Sequence, residues 1–404
     1  MTRSAAAMSS TYIEWAKLHS HARYNLANSG VMNYPLAELG VRIEDLEISG
    51  PSYYGYEPLL QALARKCGVA KECVVAAVGT SQANHLAMAA CVEPGDEVLI
   101  EHPAYDTMLG VAHHLGAVVK RFPRRAENGW RIGAAEVERL ATARTRLIVL
   151  TNLHNPSGAL TDEATLHALG EIARRTGARV LVDEVYLELL AVQQPAFGNG
   201  GFHPPESGRM DTPQLSAFHL GPQFIVTSSL TKAYGLSGLR CGWILAEPDL
   251  AHRIWRLNDL FCNIPAHIPE RLSVLALERL PQIADRARAL LAANSALLEK
   301  FLDARNDLDV VRPPCGTVVF PRVLPGRKQR TAGGHAGPPL PAGNEPSNER
   351  DVEHLCAVLR EKYETSVVPG RFFEMPQHIR IGIGGPTADL AEGLLRLSIC
   401  LDSA

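Results

Sequence analysis

The 404-residue sequence lacks any apolar run long enough to span a bilayer, and its opening stretch, MTRSAAAMSSTYIEWAK, contains no apolar core of signal-peptide length. The cytoplasm is the compartment this leads us to expect. Charge of one sign is also missing: 40 Lys and Arg stand against 43 Asp and Glu, a formal net charge of −3. No basic face is implied, which argues against nucleic acid or another polyanion as partner. The eight cysteines include no Cys-x-x-Cys pair. Neither a zinc knuckle nor a disulfide framework is therefore expected, only reduced and mostly buried thiols. His113 and His114 are adjacent and would point to different sides of a helix, which disfavours a joint metal site.

What is present is the composition of an ordinary globular protein, 46% hydrophobic and 21% charged, long enough for two domains. Its most informative stretch runs from Ser228 to Trp243, Ser-Ser-Leu-Thr-Lys-Ala-Tyr-Gly-Leu-Ser-Gly-Leu-Arg-Cys-Gly-Trp. Residues 223–227 before it and 241–246 after it read as short buried strands, so Lys232 sits on a Gly-rich turn. No carboxylate lies in that turn; its neighbours are Ser228, Ser229, Thr231 and Arg240. Desolvation and like charge lower an amine's pKa and leave a free base able to attack a carbonyl. A lone loop lysine is usually a solvated one; here the flanking pattern decides. Ser-x-Thr-Lys-x-Tyr-Gly-Leu-x-Gly-Leu-Arg-x-Gly-Trp resembles the lysine signature of the class I/II aminotransferases, the fold-type I pyridoxal-phosphate (PLP) enzymes. The resemblance implies PLP as cofactor, carried by Lys232 as an internal aldimine, with Ser229 and Arg240 on its phosphate.

Further segments resemble the same family, in its order. Gly79-Thr80-Ser81 follows a strand over 74–78 and opens a helix, where free backbone N–H groups and the helix dipole make an anion site; the resemblance assigns it the phosphate. Tyr105, in Glu-His-Pro-Ala-Tyr after a strand over 96–100, matches the ring that stacks on the pyridine. Asn155, in Asn-Pro-Ser-Gly after a strand over 147–151, matches the asparagine that donates to the cofactor's phenolic oxygen. A carboxylate at the exit of an apolar strand is costly unless paired. Asp183, ending Arg-Val-Leu-Val-Asp, matches the aspartate paired with the pyridinium nitrogen, and Tyr186 a second partner of the phenolic oxygen. Arg380 alternates with Ile379 and Ile381 and so faces away from them. It matches the arginine that grips the substrate α-carboxylate in a bidentate fork. Gly30, or Ser29 beside it, is nearest to the loop that passes over that carboxylate. Tyr53, with Tyr54 as the other choice, matches a tyrosine that crosses a dimer interface to the neighbouring subunit's cofactor phosphate. Glu184 is expected to be outward-facing or structural, and His154 structural.

The implied fold is α/β: a large PLP-binding domain over 46–275 with a mainly parallel sheet, and a smaller α/β domain over 276–404, joined by an N-terminal arm, 1–45. Residues 266–306 carry helical periodicity broken near Pro281. The Pro/Gly-rich stretches 192–222 and 324–350 read as an irregular insertion and a mobile loop. The implied activity moves an amino group from an amino acid to a 2-oxo acid in a homodimer with shared active sites. The same residues would serve a carbon–sulfur β-lyase, a decarboxylase or a cyclase. A noncatalytic PLP-binding regulator is disfavoured, because the key positions are intact and no DNA-binding domain precedes residue 45. No second arginine can be assigned to a distal carboxylate, which leans toward neutral, apolar or aromatic amino acids.

Overall fold

Ser10 caps the first helix, α1 (Thr11–Leu18), its hydroxyl accepting from the backbone N–H of Ile13. The next long helix, α2 (Glu57–Cys67), buries Leu59, Leu60 and Leu63 as its spacing predicts. Seven strands then build one sheet: β1 (Val74–Val78), β2 (Glu97–His102), β3 (Val118–Pro123), β4 (Thr145–Thr151), β5 (Arg179–Asp183), β6 (Phe224–Ser229) and β7 (Cys241–Leu245). Their order is β1-β7-β6-β5-β4-β2-β3. Neighbours run parallel except at β7, which is antiparallel to both β1 and β6. This computed structural model describes residues 9–193, 216–325 and 351–403. Most of the insertion expected over 192–222 and of the loop expected over 324–350 lies outside the described residues.

Both faces of the sheet are covered, which is why its strands read as unbroken apolar runs. Leu147 and Val149 enter the core on one face, Ile148 and Leu150 the core on the other. Helix α3 (Gly79–Ala89) supplies Ala83, Leu86 and Met88 to the first, and α4 (Glu163–Thr176) supplies Leu166, Leu169 and Ile172 to the second.

The remaining chain holds α5 (Leu280–Asp303), β8 (Val318–Val319), α6 (Val352–Tyr363), β9 (Val368–Pro369), β10 (Ile379–Gly382) and α7 (Thr387–Ser403). The break expected near Pro281 falls at Arg279, which joins the helix His267–Glu278 to α5. β10 is the middle strand of a three-stranded antiparallel sheet, between β8 and β9. The strand expected over 316–320 is shorter than its apolar run, because Gly316 adopts φ +133°, outside strand geometry, and Phe320 packs among Trp130, Phe373 and His378. The N-terminal segment is stitched to this part: Tyr24–Asn25 pairs in parallel with Thr365–Ser366, and Gly382 N donates to Leu26 O at 2.7 Å. None of the eight cysteines is in a disulfide. Among the described residues no helix is long and apolar enough to cross a membrane.

Candidate active site

The ends of β4, β5 and β6 and the first turns of α3 open on one cavity of about 350 Å3, at the carboxyl edge where open α/β sheets bind ligands. Lys232, on the turn after β6, donates from Nζ to Ser29 Oγ at 2.9 Å. Burial, then the positive charges of Arg380 and Arg240, lower its pKa against the opposing pull of Tyr12 and Asp183, so the neutral amine is favoured relative to an ordinary lysine. Asp183, 4% exposed, ends β5. Its Oδ2 accepts from Asn84 Nδ2 at 2.8 Å and its Oδ1 from Val185 N at 3.0 Å. Burial pushes its pKa up to about 6, against these hydrogen bonds and the charge of Lys232. Tyr186 is buried beside the lysine, its ring centre 5.9 Å from Nζ, and burial pushes its phenol up to about 12.

Asn155 stands on the turn after β4. Its backbone N–H donates to Thr151 Oγ1 at 3.0 Å; that hydroxyl donates to Glu101 Oε1 at 2.8 Å, and Glu101 pairs with the buried Arg124 at 2.7 Å. His154 is held by Ser157 Oγ and the carbonyl of Pro103, the structural place expected of it. Arg380, 1% exposed, donates from Nη1 to Asn155 Oδ1 at 3.0 Å, and from Nη2 to Tyr12 Oη at 2.8 Å and Ala27 O at 3.0 Å. Its Nε has no partner among the described residues. A buried guanidinium with N–H groups to spare is a carboxylate receptor in chemical terms.

At the other end of the cavity, Thr80 Oγ1 donates to Ser229 Oγ at 2.9 Å, with Ser81 and Arg240 beside them. Gly79 takes φ +73°, and a Cβ there would lie 2.3 Å from Arg240 Nη2; the arginine occupies the space that the missing side chain leaves. Hydroxyls, a guanidinium and the first N–H groups of α3 thus face one spot, a donor set suited to a dianionic phosphate. Tyr105 lines the same cavity, its ring edge-on to Tyr12 at 5.8 Å. An anion cradle, an aromatic wall, a buried carboxylate and an amine in one cavity fit a phosphorylated pyridine aldehyde.

Most residues named from the sequence therefore meet. Gly30 does not line the cavity; its backbone packs against Lys232, and its neighbour Ser29 meets the amine. Tyr53 is 70% exposed and Tyr54 stacks on Trp255; neither enters this chain's cavity. Glu184 is structural rather than outward-facing: it is buried, accepts from Ala217 N at 2.7 Å, and lines a separate small cavity with Lys66 and Glu188. Tyr12 and Asn84 are among the lining residues that the sequence did not point to. Asn84 lies four residues beyond Thr80 on α3, a spacing that puts both on one face; no sequence signal marks Tyr12.

The sequence profile of the family "Aminotransferase class I and II" matches residues 47–397, and the chain belongs to that family: it is a PLP-dependent aminotransferase-class enzyme of fold type I. The chain is 30% identical over 390 residues to capreomycidine synthase of Streptomyces vinaceus, covering 93% of this chain and 89% of that protein. A crystal structure of a PLP-dependent aminotransferase from Streptococcus suis superposes with a TM-score of 0.82 at 24% identity, over 100% of this chain and 99% of that one. A PLP-dependent cyclase, OrfR, superposes with a TM-score of 0.77 at 25% identity, over 98% and 97% of the two chains.

Proposed function

We propose that the protein transfers the amino group of an α-amino acid to a 2-oxo acid, with PLP held on Lys232. The observation that supports this most is the convergence of Lys232, Asp183, Asn155, Tyr186 and Arg380 on one cavity whose far end is the anion cradle. In this reading Thr80, Ser81, Ser229, Arg240 and the backbone at Gly79 hold the phosphate, and Tyr105 flanks the ring. Asn155 and Tyr186 meet its phenolic oxygen and Asp183 its nitrogen. Bound there, PLP supplies an aldehyde that combines with amines and a protonated ring that draws electrons from the bonds at Cα. Arg380 receives the substrate carboxylate beneath the segment carrying Ser29 and Gly30, which fixes which bond at Cα is presented. Lys232 Nζ, whose burial beside two guanidinium groups favours the free amine, takes the proton from Cα and later returns one.

The cavity lies between a large unit, 46–275, and a smaller one built from 276–404 with the arm 1–45. Ile43, Ile48, Leu260, Phe261 and Ile264 are all at least half exposed, on segments joined by Ser52–His267 and Arg271–Glu44 contacts. Such an apolar face supports a homodimer, with Tyr53 reaching the neighbour's phosphate; the cytoplasm is the compartment proposed. Purified protein should show visible absorbance and transfer amino groups from a panel of amino acids to 2-oxoglutarate, releasing glutamate. Lys232→Ala should lose the absorbance and the borohydride-fixable adduct. A colourless protein indifferent to added PLP would refute the reading.

Similarity to a PLP-dependent cyclase favours cyclisation as a second reading, since Lys232 and Arg380 would serve it equally. A cyclic product formed from an amino acid, with no glutamate released, would select it.

A further inference from the structure

We propose that Asn84 is the positioning residue that fixes how Asp183 meets the ring nitrogen of PLP. The inference rests on the role given to Asp183 above. β5 and β6 set Asp183 opposite Thr227 in parallel register, and α3 lays Asn84, 4% exposed, against both. Thr227 Oγ1 donates to Asn84 Oδ1 at 2.5 Å. That contact uses the oxygen side of the amide and leaves its NH2 group to face the carboxylate, which it meets at 2.8 Å on Oδ2. Val185 N takes Oδ1 at 3.0 Å. The two donors hold the carboxylate plane from opposite oxygens, each of which retains acceptor capacity for one more partner.

Charge points the same way. Burial favours protonated Asp183, and Glu101 adds repulsion; Asn84, Val185 N and Lys232 oppose them, with the Asn84 hydrogen bond the largest of the three. The phenols of Tyr105 and Tyr186 and the carboxyl of Glu184 also feel its charge. Asn84 thus favours the anion that a pyridinium nitrogen requires, through a helix whose first turn carries the phosphate cradle. One element registers both ends of the cofactor.

The test compares PLP with its 1-deaza analogue, in which a C–H replaces the ring nitrogen, each titrated into full-length protein stripped of cofactor. In Asn84→Leu the Kd for PLP should rise about tenfold, the scale of one lost hydrogen bond to a charged group, while that for the analogue moves less than about twofold. The pH midpoint of the visible band of bound PLP should also rise by about one unit. A ring nitrogen facing a weaker anion carries less positive charge, and the lysine-derived nitrogen keeps its proton longer. Thr227→Val, nearly isosteric, releases the amide without removing it and should weaken PLP alone by about threefold; it reads the same relay if Asn84→Leu does not fold. Equal losses for both ligands, or none for PLP, would overturn the inference while leaving the proposed function intact. Wild-type protein that takes up neither ligand overturns both.

Discussion

Replacing Arg380 by lysine tests the substrate end of the site directly. The guanidinium is fixed by Asn155, Tyr12 and Ala27, which account for three of its five N–H groups and leave two for a carboxylate. Lysine keeps the charge but replaces a planar fork by a point donor. Charge-assisted hydrogen bonds contribute about 1.5–3 kcal/mol each, so losing one of two should cost about 2 kcal/mol. That is roughly a 30-fold fall in kcat/KM for amino acids. PLP affinity should fall far less, since Arg380 meets the groups assigned to the cofactor only through Asn155 and none in the phosphate cradle. The assay is steady-state transfer to a 2-oxo acid beside a spectral titration with PLP, repeated with an amine that lacks a carboxylate, for which the loss should vanish. An unchanged kcat/KM for amino acids, or an equal loss for the bare amine, would remove Arg380 from the carboxylate.

Two further outcomes follow from geometry and burial. Gly79→Ala places a methyl group where Arg240 now sits and forces a left-handed backbone on an L-residue. PLP affinity should fall at least about tenfold and stability by about 1–2 kcal/mol, read by spectral titration and urea denaturation. Glu184 has its carboxyl pushed up to about 8 by burial, above its value in the unfolded chain. Its protonated form is therefore the one folding favours, and its contribution to stability, full at acid pH, is lost as pH rises through about 8. Glu184→Gln should flatten the decline in stability between pH 5 and pH 8; an unaltered slope would show that the carboxyl does not titrate there.

The sheet was legible because strands buried on both faces announce themselves as short apolar runs: 74–78 and 179–183 match β1 and β5 to the residue. The reactive turn was legible because its chemistry is packed into one contiguous segment. Contacts between distant segments were not. Tyr12 reaches Arg380 across 368 positions of sequence, and Asn84 reaches Asp183 across 99; neither is marked by local pattern, because only the crossover connections and the docking of α1 bring them together. Ser29 and Gly30 could not be told apart for the same reason. Both are small, and which one meets the amine depends on how the N-terminal segment lies along Lys232, whose carbonyl accepts from Val31 N.

Tyr234, two positions past Lys232, is buried and donates to Glu188, whose other oxygen meets Lys66 Nζ at 2.7 Å. This triangle moors the lysine's turn to α2 from the side of the sheet away from the ligand. Removing Lys66 or Glu188 would strand the other's charge in the interior, a cost of about 3–5 kcal/mol, so the turn is expensive to displace. The seat proposed for the cofactor is consequently built by the polypeptide itself, and mutational drift in reaction type has the rim to work with: α1 and the arm behind it can change what is admitted while the anchorage below stays put.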